Sequence, residues 1–146
     1  MAELAVATGE RPFGAVIVGA DGTIISEAHG HSIAQKDLTS HAEVTAIRNL
    51  HGRYDRAFLA GCTLYSSAEP CAMCAGAIYW ANIQRVVFGL SEERLRMLRD
   101  VSEHTSALQM KCEAVLATGG HPTVVIGSVL EDEAIVPHLG FWATAV

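Results

Sequence analysis

The chain has 146 residues, a length that suits one domain. Half of its residues are hydrophobic and 18% are charged, which excludes wholesale disorder. Ten Lys and Arg stand against sixteen Asp and Glu, a formal charge of -6. A generic nucleic-acid binder needs a basic excess, so that class is disfavoured.

The most apolar early stretch, Phe13 to Ala20, is far shorter than the roughly 20 residues of a spanning helix, so no membrane partner is expected. The first ten residues carry two Glu and no basic run, and do not resemble a secretory signal. A cytoplasmic, reducing location is expected, where a Cys71-Ala72-Met73-Cys74 pair reads as a metal or redox site rather than a structural disulfide.

In chain order, residues 3–9 suit a short helix stopped by Gly9 and Pro12. Residues 13–19 are apolar on both faces, like a central strand. Ala20-Asp21-Gly22 is a turn, and Thr23 to Glu27 completes a hairpin. Residues 29–38 read as loop. Thr39 or Ser40 caps a helix running to about Leu50. Cys62 to Ser66 is a third strand. Pro70 suits the first position of a helix carrying CAMCAGAIYW, with Glu69 before it. Arg85 to Phe88 is a fourth strand, residues 91–99 and about 104–117 are helices, and Thr123 to Ser128 is a fifth strand. Strands alternating with helices imply a partly parallel sheet with helices on its faces. The opening hairpin makes that sheet mixed.

Cys71 and Cys74 are three apart at a helix start, so both sulfurs share one face. The positive end of the helix favours thiolates there. His41 also opens a helix, and two thiolates with one imidazole suit zinc. Three protein ligands leave one position for water, as in catalytic zinc sites. Glu43, two residues past His41, is placed to move protons without binding the metal. Two other readings of the cysteines stay open: a redox CxxC pair, and a structural zinc site with Cys62 as fourth ligand. The redox reading leaves His41-Ala42-Glu43 and Pro70 without a role. Cys62 and Cys112 read better as buried core residues.

The order H-x-E then P-C-x-x-C is the zinc deaminase signature. With PFGAVIV (12–18), HAEVTAIRNL (41–50) and the run from Cys62 to Gly89, the chain resembles the cytidine deaminase-like superfamily. It is most similar to the branch holding guanine deaminases and tRNA adenosine deaminases. The resemblance implies an α/β fold, a three-layer α/β/α sandwich on a five-stranded mixed sheet. It implies residues 1–146 as one zinc-dependent deaminase domain, with Zn2+ held by His41, Cys71 and Cys74 and with Glu43 as the catalytic proton shuttle. It implies hydrolytic release of ammonia from a small-molecule nucleobase or nucleoside, without an organic cofactor, and a homodimer. Ile78-Tyr79-Trp80 could contribute to that dimer or to the core.

Where relatives often carry an Asn that contacts the ring, this chain has Gly30 between His29 and His31. Either histidine could supply the missing contact, or both could be solvated loop residues. Phe13 is core or a stacking wall for the base. Phe141 and Trp142 resemble aromatic tails that cap the active site in some guanine deaminases, or they anchor the C-terminus. Phe13, His29, His31 and Trp142 are thus the candidate substrate contacts. Guanine, or a related aminopurine or triazine, is expected first and cytosine next. Arg94, Arg96 and Arg99 are interleaved with acids and read as a solvated helix face rather than an RNA patch, so a tRNA partner is disfavoured. His51, His104, His121 and His138 carry no motif and default to the surface.

Overall fold

The structure, a computed structural model, describes residues 1–99 and 108–144. Five strands form one mixed sheet: β1 (Gly14–Val18), β2 (Ile24–His29), β3 (Thr63–Ala68), β4 (Arg85–Leu90) and β5 (Val124–Ile126). Their order is β2-β1-β3-β4-β5. β1 runs antiparallel to β2 and β3, whereas β3, β4 and β5 are parallel. The opening hairpin turns at Asp21, whose carboxylate accepts from the Thr23 amide at 3.0 Å, and at Gly22, which takes φ +85°.

Eight helices accompany the sheet among the described residues: α1 (Ala2–Ala7), α2 (Ala42–Arg48), α3 (Arg56–Ala60), α4 (Ala72–Trp80), α5 (Glu92–Arg99), α6 (Cys112–Leu116), α7 (Glu131–Ala134) and α8 (Phe141–Thr144). Strand alternation sorts them into layers. The rows Ala28–Ala15–Ser66–Phe88 and Ser26–Ile17–Leu64–Val86–Val125 face one way. They pack with Ala42, Ala46 and Leu50, with Ala75 and Ile78 of α4, and with Cys112 and Leu116 of α6. Ile17, Leu64 and Ile78 are completely enclosed, each worth roughly 2 kcal/mol of apolar burial. On the other face, α1 lies against Gly14 and α7 against Gly89. A Cβ on Gly89 would stand 2.7 Å from the Ala134 Cβ, so glycine permits that approach.

Several local expectations are revised. β2 extends to His29. The two site helices are capped by His41 and Cys71 themselves, both with extended backbones. The Ser40 hydroxyl is engaged with Gln35 and Asp37 instead, and Pro70 stands one residue ahead of the Cys71 cap. The helix expected over about 104–117 is helical over Cys112–Leu116. Residues 108–111 are loop, and 104–107 lie outside the described residues. α3 was not anticipated; Asp55 caps it by accepting from the Phe58 amide at 2.7 Å. The C-terminal segment is two short helices and a 3-10 turn at Val136–His138, not a plain tail. Of Ile78-Tyr79-Trp80, Ile78 is core, Tyr79 bonds Gly120 and stacks on His121, and Trp80 is 75% exposed. His138 is buried rather than at the surface.

Candidate active site

β3 and β4 are parallel, so the loop after β3 delivers α4 beside the start of α2 at one end of the sheet. The two helix caps meet there. His41 Nδ1 lies 3.6 Å from Cys71 Sγ and 3.5 Å from Cys74 Sγ, and the two sulfurs are 3.6 Å apart. No other group of three metal-ligating side chains converges in this way among the described residues. Tetrahedral zinc, with bonds near 2.3 Å to sulfur and 2.0 Å to nitrogen, sets ligand-to-ligand edges of about 3.5–3.8 Å. The three donors match that triangle, and their N/S chemistry fits zinc.

Glu43 sits one residue inside α2, buried. Its Oε1 accepts from Ser66 Oγ of β3 at 3.0 Å, and its Oε2 is 3.4 Å from Cys74 Sγ. No fourth side chain of this kind completes the ligand set among the described residues. Burial pushes the Glu43 carboxyl up, with the Ser66 bond opposing. Contact with Cys74, and then with His41, holds the Cys71 thiol down to about 4 against burial. Cys74 is pushed up by its contact with Cys71 and by burial. Contact with Cys71 raises His41.

The cluster opens into a cavity of about 490 Å³. Phe13 and Trp142 both line it, with ring centroids 6.2 Å apart. The Trp142 indole N–H donates to His138 Nδ1 at 3.3 Å. Near β2 the cavity is lined by Gly30 and Ser32, whereas His29 and His31 are absent from its wall. Those two rings face each other at 4.3 Å, and His29 Nδ1 is 2.8 Å from the Gly30 carbonyl oxygen. Sequence reasoning missed three charged wall residues, Arg11, Glu92 and Arg99; Glu69, singled out ahead of the CxxC helix, also lines the wall. The expectation of a fully solvated α5 is corrected in part. Arg94 pairs outward with Asp132, but Arg99 turns inward over the Trp142 ring at 4.7 Å. The seven-residue spacing of Glu92 and Arg99, two helical turns on one face, was the available signal. Glu69 accepts from the Glu92 and Cys112 amides at 3.2 and 3.1 Å, at the starts of α5 and α6.

An α/β sandwich with a His-Cys-Cys cluster and an adjacent buried glutamate is the build of a zinc-dependent hydrolase. Residues 1–90 match the cytidine and deoxycytidylate deaminase zinc-binding region, and the chain belongs to that family. It is 43% identical over 134 residues to a probable cytosine deaminase of Schizosaccharomyces pombe, covering 92% of this chain and 81% of that one. It is 47% identical over 92 residues to a tRNA-specific adenosine deaminase of Haemophilus influenzae, covering 63% of this chain and about half (53%) of that relative. The solved guanine deaminase of Nitrosomonas europaea shares the fold, with a TM-score of 0.78 at 19% identity over 97% of this chain and 79% of that one.

Proposed function

We propose that this chain hydrolyses the exocyclic C–N bond of a free nucleobase, releasing ammonia and leaving a carbonyl. The observation that carries the reading is Glu43. One of its oxygens is fixed by Ser66 and the other lies at the ligand cluster, in the wall of the 490 Å³ cavity. His41, Cys71 and Cys74 would hold zinc, which would supply Lewis acidity toward a water. Glu43 accepts the proton of that water and carries protons to the ring nitrogen and then to the departing amine. Burial raises its carboxyl and suits it to hold a proton between the two transfers. Ser66 orients it. Phe13 and Trp142 offer apolar faces to a flat ring and exclude water.

Similarity over nearly the whole chain to a probable cytosine deaminase supports cytosine as the first substrate, ahead of guanine and other aminopurines or triazines. The match to a tRNA-specific adenosine deaminase supports tRNA as the second reading. Closure of the wall by Trp142 of α8 favours the smaller substrate. No helix among the described residues is long and apolar enough to cross a membrane. A homodimer in a reducing cytoplasm completes the reading, with exposed Trp80 as the residue to probe in that dimer. The test is ammonia release from cytosine, guanine, adenine, cytidine and a tRNA anticodon stem. Turnover of cytosine is expected, and activity confined to tRNA would overturn the reading.

A further inference from the structure

Among the described residues three carboxylates line the cavity, and two are committed. Glu43 is engaged by Ser66 and the ligand cluster, and both Glu69 oxygens accept backbone amides. Glu92 differs. Its Oε1 is buried and accepts no hydrogen bond among the described residues. Arg99 Nη1 stands 3.7 Å away, close enough for an ion pair and too far for a hydrogen bond. Both side chains are largely enclosed, at 21% and 16% exposure. The Arg99 guanidinium lies 4.7 Å from the Trp142 ring centroid and 5.5 Å from that of Phe13, so both aromatic walls fix its position. Burial raises the Glu92 carboxyl.

An acceptor beside a donor, in one cavity wall, complements a ring edge that carries N–H next to C=O. The pair is neutral overall, which suits an uncharged ring. Cytosine has such an edge: its N1–H and C2 carbonyl lie across the ring from the carbon that bears the amine. In the nucleoside a sugar replaces that hydrogen. Resting on the free-base reading above, we propose that Glu92 and Arg99 are the specificity-determining pair. Glu92 accepts the ring N–H and Arg99 donates to the adjacent carbonyl oxygen, selecting the free base over N1-substituted forms. Gly30 contributes no side chain to the same cavity, so this edge is read from α5.

The experiment measures steady-state ammonia release from cytosine, 1-methylcytosine and cytidine by wild type, Glu92→Leu and Glu92→Gln. Zinc content and melting temperature are recorded for each. Wild type should prefer cytosine over 1-methylcytosine by about a hundredfold or more in kcat/KM. Glu92→Leu should raise the cytosine KM about tenfold or more with kcat little changed, and should reduce the preference. Glu92→Gln, which keeps one acceptor oxygen, should recover part of the loss. If Glu92→Leu does not fold, the wild-type preference and the Glu92→Gln constants decide. Turnover of cytosine with an unchanged KM in a zinc-loaded, native variant overturns this assignment alone. A wild type that deaminates no free base overturns the reading on which it rests.

Discussion

Ser66 Oγ donates to Glu43 Oε1 across 3.0 Å, joining the middle strand of the sheet to the first turn of α2. The sheet thereby holds the acid in place while α2 supplies His41 one residue before the helix. Glu43→Ala should keep its zinc and its melting temperature and lose ammonia release by about two to four orders of magnitude. Ser66→Ala should retain zinc and lose about tenfold in kcat, because the carboxylate is no longer oriented. Metal analysis beside an ammonia assay reads both; full activity in Glu43→Ala removes the assigned shuttle.

A second prediction concerns the loop that lines the cavity. Glu10 is buried, and its two oxygens accept the Ile33 and Ala34 amides at 3.0 and 2.7 Å. It pins the segment that presents Gly30, Ser32 and Leu38 to the substrate. Glu10→Ala leaves two amides without their acceptor. It should cost about 2 kcal/mol in urea unfolding and raise KM more than it lowers kcat. An unchanged KM would detach the loop from substrate binding.

His138 gives a pH dependence of stability. Burial, and then the charge of Arg99, holds its imidazole down to about 4 from 6.5, and Nδ1 accepts from Trp142. Unfolding releases it to take a proton near 6.5 that the native state refuses until about 4. Its contribution is therefore complete above pH 6.5, declines as the pH falls, and is lost through pH 4. The lost contribution amounts to about 3 kcal/mol. Urea midpoints at pH 7.5, 6 and 5 should fall less steeply in His138→Gln than in wild type. Parallel slopes would contradict this.

Packing on the second face of the sheet is tested at Gly89. The added methyl of Gly89→Ala would meet the Ala134 Cβ at 2.7 Å and the Ser67 carbonyl oxygen at 2.9 Å. Both belong to fixed backbone or a short side chain, so α7 must shift. Thermal unfolding should report a loss of about 1–3 kcal/mol.

The ligand triad was legible because its chemistry is local. Cys71 and Cys74 share a helix face by spacing alone, and His41 opens a helix of its own. The strands were legible from apolar runs bounded by turn residues. What escaped depends on tertiary contacts. α3 rests on a single Asp55 cap, and α7 and α8 are four residues each, too short to carry a periodic signal. Ser40 looks like a cap in sequence, yet its hydroxyl is drawn to Asp37 in the folded loop. His29 and His31 flank Gly30 in sequence, but Gly30 alone of the three lines the cavity. Glu92 and Arg99 carry no motif; only folding brings α5 against Phe13 and Trp142.

The most direct test of the account is zinc X-ray absorption on the purified protein, with metal stoichiometry from the same sample. One zinc per chain is predicted, with two sulfurs near 2.3 Å and two nitrogen or oxygen neighbours near 2.0 Å, one of them exchangeable solvent. Absence of zinc, or a shell closed by a third sulfur, would contradict an open metal centre built from His41, Cys71 and Cys74.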